Sequence, residues 1–153
     1  MSFEFEPLRN ICKAIQSLDR VEALLYILNK PEVQDEIIRL NQEEQLVNKN
    51  VYADGSQTPE YSIGYYEFKK SFFPSIGRRM DFRLTGDFFG TFDIEVLPNG
   101  DVNIIADGQK EDKDLFEFYD IEIIGLTDES KESLIPLFEE GILEYVSDKL
   151  SSF

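Results

Sequence analysis

Leu84-Thr85-Gly86-Asp87-Phe88-Phe89-Gly90-Thr91-Phe92-Asp93-Ile94-Glu95-Val96-Leu97-Pro98-Asn99-Gly100-Asp101 is the most strongly patterned stretch of the chain. From Thr91 the residues alternate. Phe92, Ile94 and Val96 point one way and Asp93 and Glu95 the other, the period-2 signature of a half-buried strand. Leu97 to Asp101 places Pro, Asn and Gly where a turn uses them. Val102 to Ala106 then returns with Val102, Ile104 and Ala106 on one face. The expectation is an antiparallel hairpin at about 91–106 with one buried side. Upstream, Gly86 offers positive φ or a close backbone approach, and Thr85 is placed to cap a short helical turn. A strand is expected before it, near Met80 to Leu84.

Helical patterns flank this sheet. From Leu8, the positions Ile11, Cys12, Ile15, Leu18, Val21, Leu24, Leu25 and Leu28 follow steps of three and four and make one apolar stripe. Asn29-Lys30-Pro31 interrupts it, and Pro31 suits the first turn of a second helix over about 31–48. At the other end Thr127 reads as an N-cap, with Asp128 and Glu129 in the first turn of a final helix over about 128–150. Pro136 and Gly141 lie inside that helix and predict a kink or a short first segment. Between these blocks, residues 48–79 carry turn chemistry, with the makings of a short helix from Tyr61 to Lys70. The order helix, helix, long loop, sheet, helix predicts an α+β fold in a single domain over 1–153. Within it, 1–47 form a helical part, 48–79 a projecting loop or arm, and 80–150 the sheet with the C-terminal helix.

The chain has 153 residues, with 31 acidic against 15 basic side chains and a formal net charge of −16. Such a field repels polyanions and argues against general adhesion to nucleic acid or anionic membrane. It suits docking onto a basic surface. No apolar run approaches a membrane span, and no signal region opens the chain, so the expectation is synthesis in a reducing cytoplasm. The one cysteine, Cys12, can make no intramolecular disulfide and reads as a small buried hydrophobe.

There is no histidine, which removes every Ser-His, Cys-His and His-based zinc arrangement. Asp107, Glu111, Asp112 and Asp114 form the densest acidic cluster, but without the every-second-residue ligand pattern of a calcium loop. They read as a solvated acidic loop, with a carboxylate-based hydrolase the reading to be met only if they converge with other acids in a cleft. No Gly-rich phosphate loop occurs. No catalytic residue, cofactor or metal is expected.

The local exception to acidity is the segment from Lys69 to Arg83. Lys69, Lys70, Arg78, Arg79 and Arg83 stand against one acid, Asp81, with aromatics interleaved. This composition suits docking onto an acidic neighbour, including another copy of the chain. It also suits a loop that balances local charge and tucks its aromatics into the core, or a binder of single-stranded nucleic acid, which the net charge disfavours. Candidate contact residues are Tyr65, Tyr66, Phe68, Lys69, Lys70, Phe72, Phe73, Arg78, Arg79 and Arg83.

Three stretches together resemble small tailed-phage morphogenesis proteins, including those of phages of Bacteroidetes and crAss-like phages. They are Leu40-Asn41-Gln42-Glu43-Glu44-Gln45-Leu46, leading to a loop with Tyr61-Ser62; Leu84 to Phe92, with Thr91 where many relatives have Ser; and Ile124-Gly125-Leu126-Thr127-Asp128-Glu129. The resemblance spans roughly residues 40 to 148. It implies a non-enzymatic virion protein at the head–tail junction: a neck, connector or tail-completion subunit in a homo-oligomeric ring around the DNA channel. Its implied neighbours are portal, neck or tail proteins, with packaged DNA passing without sequence-specific binding and no membrane. The alternative is a monomeric acidic module that captures a basic partner protein.

Overall fold

Asp19 and Pro31 set the first two breaks in the chain. The Asp19 carboxylate accepts hydrogen bonds from the amides of Val21 (2.8 Å) and Glu22 (3.1 Å) and so starts a helix inside the apolar stripe. The stripe is therefore divided into α1 (Glu6–Gln16) and α2 (Arg20–Leu28). Pro31 opens α3 (Pro31–Arg39). The helix then widens to a π-helical pitch over Leu40–Lys49 and stops at Asn50, whose φ of 53° is left-handed. The structure, a computed structural model, describes residues 6–83, 86–110 and 113–152. The expected Thr85 cap, the Leu84 end of the Met80–Leu84 strand, and Glu111 and Asp112 of the acidic cluster lie outside the described residues.

The fold is α+β. The hairpin forms as β1 (Asp93–Val96) and β2 (Val102–Ile105), with Ile94 opposite Ile104 and Val96 opposite Val102. The turn is closed by Leu97 N donating to Asp101 O (2.8 Å), and Gly100 supplies a φ of 90° beneath the Leu24 side chain. Before it, Gly86 (φ 88°) leads into the short α5 (Asp87–Gly90). Residues 80–83 form no strand; the pairing instead falls one step earlier, in an isolated bridge between Glu60 and Arg79. Phe82, at φ 60°, turns the chain sharply, so that Asp81 and Phe82 are both buried although they are consecutive.

Two apolar clusters meet at the hairpin. One gathers Leu46, Tyr52, Phe82, Phe88, Phe92, Leu115 and Ile123; the other gathers Ile27, Leu28, Val33, Ile37, Leu40 and Leu134. Ile104 packs against both. The chain end supplies α7 (Asp128–Ser133), capped by Thr127 Oγ1, and α8 (Ile135–Ser151), so the expected break falls just before Pro136. α2 packs on α8 where Gly141 leaves room: a Cβ there would sit 2.8 Å from Ile27 Cγ1. Tyr26 donates to Asp148 (2.9 Å), and Lys149 pairs with Glu22 (2.9 Å). α1 has less cover. Leu8, Ile11 and Ile15 remain exposed, and Cys12 is exposed rather than buried as its spacing suggests.

Two buried amides lock the seam between halves. Asn41 Nδ2 donates to Ile123 O (3.1 Å) while Asn41 Oδ1 accepts from Gly125 N (3.1 Å). One turn on, Gln45 Nε2 donates to Gly125 O (2.9 Å) and its Oε1 accepts from Thr127 N (2.9 Å). Between them Gln42 Nε2 donates to Phe89 O (2.7 Å). One helical stretch thus holds both the 86–92 turn and the 123–127 segment, satisfying backbone groups that burial would otherwise leave unpaired.

Candidate docking surface

Within the long segment, Ser62 starts a helix. Its Oγ accepts from Tyr65 N (3.3 Å), and α4 runs over Ile63–Phe72. An amphipathic helix ordinarily turns its phenylalanines inward and its lysines outward. α4 does the reverse at three positions. Lys69 is 4 % exposed, whereas Phe68 and Phe72 are 61 % and 67 % exposed.

The inward lysine is held by two partners that sequence spacing did not single out. Lys69 Nζ lies 2.9 Å from Asp81 Oδ1 and 2.6 Å from the Tyr61 hydroxyl, which itself donates to Asp81 Oδ1 (3.1 Å). Asp81 Oδ1 also accepts from Arg83 N (2.9 Å). Tyr61 and Asp81 are as buried as Lys69. Burial, reinforced by the Asp81 charge, pushes the Tyr61 phenol well above its usual range, so the group is a neutral donor at ordinary pH. A buried ion pair needs its remaining hydrogen-bonding capacity met to be tolerated, and here phenol and backbone meet it. The pair roots α4 to the segment around Asp81.

With Lys69 turned in, the outer side of α4 becomes aromatic. The buried Tyr61 ring lies 5.3 Å from that of Tyr65, at the inner end of a ladder in which the Tyr65, Phe68 and Phe72 ring centroids are 6.3 and 5.3 Å apart in succession. Phe73 extends it, also exposed. Cations lie against other rings of the segment. Lys70 and Arg78 flank the Tyr66 ring at 5.6 and 5.0 Å, and the Arg83 guanidinium lies 5.3 Å from the Phe73 ring. Arg83 Nε is buried without a hydrogen-bond acceptor. Arg79 is turned back, donating to Thr58 O (2.8 Å).

Eight of the ten candidate residues therefore lie on α4 or against the rings at its end, Arg79 is turned away, and Lys69 is the correction: it is buried and anchors the helix from below. The aromatics are not tucked into the core. Contiguous exposed apolar surface marks interaction sites on soluble proteins. The chain matches no protein-family model, no curated protein significantly and no solved structure significantly.

The acidic cluster plays a local part. Asp114 caps α6 (Leu115–Phe118) by accepting from Phe116 N (2.9 Å) and also holds Gln109 Nε2 (3.0 Å), and Asp107 accepts from Gln109 N (3.0 Å). Among the described residues no group of three or more His, Cys, Asp or Glu side chains is arranged to hold a metal ion. A separate groove of about 650 Å³ runs along β2, lined mostly by aliphatic residues and Phe138, with Asn103 and Lys131 as its polar side chains. Among the described residues no helix is long and apolar enough to cross a membrane.

Proposed function

We propose that this chain is a structural assembly subunit that docks through α4, and that its place is an oligomeric ring at the head–tail junction of a tailed phage. There it serves as a neck, connector or tail-completion protein of the virion, beside portal or tail proteins, with packaged DNA passing through the ring. The observation that carries a docking role is the inversion of α4. Leaving Phe68 and Phe72 in water forgoes on the order of 2 kcal/mol each, and covering them with a partner recovers it. The phage assignment is supported by the resemblance of residues 40–46, 84–92 and 124–129, whose described parts are joined in one hydrogen-bonded seam. An acidic lumen would let DNA slide past by like-charge repulsion.

Analytical ultracentrifugation over a concentration series, with electron microscopy of the product, tests this reading. Wild type is expected to sediment well above the 17.7 kDa monomer and to show closed rings. Phe68→Ser/Phe72→Ser should be monomeric with an unchanged circular dichroism spectrum. A wild type that stays monomeric at every concentration overturns the ring. That outcome favours the monomeric acidic module, for which the net charge of −16 is the supporting observation.

A further inference from the structure

α1 shows water the side that its sequence pattern would bury. Leu8, Ile11 and Ile15 lie along one side of it. Leu18 continues the line, because Ser17 N still donates to Lys13 O (2.9 Å) and Leu18 N to Ile15 O (3.2 Å) before Asp19 starts α2. These four side chains are 56 %, 41 %, 58 % and 36 % exposed. α1 packs against α8, and Asn10, nearly opposite the stripe, is half-buried. The side of α1 nearest the body is thus that of Asn10, and the aliphatic seam faces outward.

We propose that this seam is a twofold contact, covered by α1 of a second copy running antiparallel. The pairing does not depend on the α4 face. Steps of three, four and three from Leu8 to Leu18 are those of a heptad seam, which packs against another helix. They also read the same in both directions about residue 13. Antiparallel copies therefore set Leu8 against Leu18 of the second copy and Ile11 against its Ile15. Such self-complementarity is what a twofold interface requires. Charge does not oppose it locally. α1 carries Glu6, Arg9 and Lys13, so this edge adds no negative charge to a chain of net −16, and Lys13 lies on the side away from the seam. Repulsion between the acidic bodies is screened beyond about 8 Å at physiological ionic strength. Covering the four side chains and their flanks on both copies withdraws on the order of 1,000 Å² from water, the lower bound of a specific interface. An interface of that size suits a weak, reversible dimer, with a Kd on the order of 100 µM.

Sedimentation equilibrium of Phe68→Ser/Phe72→Ser, in which docking through α4 is removed, isolates the α1 contact. That protein should be monomeric at about 10 µM and largely dimeric at about 1 mM. Adding Ile11→Ser/Ile15→Ser should weaken pairing about a hundredfold and leave monomer at both concentrations. Its circular dichroism spectrum should not change, since both isoleucines are already in water. Cysteine pairs read the direction. With Cys12→Ser also present, Leu8→Cys mixed with Leu18→Cys should form intermolecular disulfides under mild oxidation at the higher concentration, and Leu8→Cys alone should not. A protein still monomeric at about 1 mM, or a dimer indifferent to Ile11→Ser/Ile15→Ser, overturns the pairing and leaves docking through α4 as it stands. Leu8→Cys crosslinking to itself overturns the antiparallel arrangement in favour of a parallel one.

Discussion

Lys69 Nζ sits 2.9 Å from Asp81 Oδ1, with both side chains out of water, on the same helix that shows Phe68 and Phe72 to solvent. Phe68 and Phe72, four apart, share one side of α4, and the buried carboxylate draws Lys69 round to the side that faces the protein.

Removing one partner should therefore be costly and removing both much less so. Asp81→Ala leaves an ammonium buried with a phenol for company, and about 3–5 kcal/mol of stability should be lost. Lys69→Met/Asp81→Asn retains an acceptor for Arg83 N and should recover most of that loss. Urea denaturation of the three proteins measures it. An Asp81→Ala cost below about 1 kcal/mol would show that the pair does not anchor α4.

Gln45→Leu should strand the Gly125 carbonyl and the Thr127 amide, at about 1–3 kcal/mol for each group left unpaired. Hydrogen exchange adds a local readout, because the Thr127 amide should lose protection more than the amides of α8. Unchanged exchange at Thr127 would mean that Gln45 is not what holds it.

Two glycines in helices should respond in opposite directions. Ordinarily Gly→Ala inside a helix stabilises by about 1 kcal/mol. Gly64 has open space at its Cβ position, so Gly64→Ala is expected to raise the melting temperature. At Gly141 a Cβ meets Ile27 Cγ1 at 2.8 Å, and overpacking of about 1–3 kcal/mol outweighs the propensity gain. Gly141→Ala should melt lower than wild type; a rise there would mean that α2 moves off α8 freely.

Stability should fall at both ends of the pH scale. The Tyr61 phenol titrates higher when folded than its ordinary 10.0. Its contribution is complete below pH 10 and is lost as the pH climbs toward the folded value, because the unfolded chain releases that proton first. Glu36 is the opposite case. A hydrogen bond from Arg39 lowers its carboxyl below 4.5, so its contribution is present above that value and fades as the pH falls further. Urea midpoints against pH, with absorbance near 295 nm following tyrosinate, check this. In Tyr61→Phe the alkaline decline should be shallower; an identical slope would remove Tyr61 as its source.

Much of the scaffold was legible locally. Alternation over 92–96 with Pro98-Asn99-Gly100 prescribes the hairpin, Thr127 prescribes a helix start, and Pro136 prescribes the break before α8, because each acts through its own backbone neighbours. The Asp19 break was harder to read, since the apolar spacing runs on through it and only the short carboxylate side chain marks the cap. The placement of Cys12 was not legible. α1 repeats an apolar stripe, but the fold gives that stripe too little cover to bury it.

The candidate surface divides along the same line. Composition alone determined where cations and aromatics concentrate, between Tyr65 and Arg83, and excluded every chemistry that needs histidine. Which of those residues are exposed was decided by Tyr61 and Asp81, from before α4 and beyond it, converging on Lys69. Periodicity ranks side chains by hydrophobicity and would have buried the phenylalanines. Only the tertiary structure brings a carboxylate under the helix, where pairing with a lysine overrides that ranking and leaves the aromatic face in water.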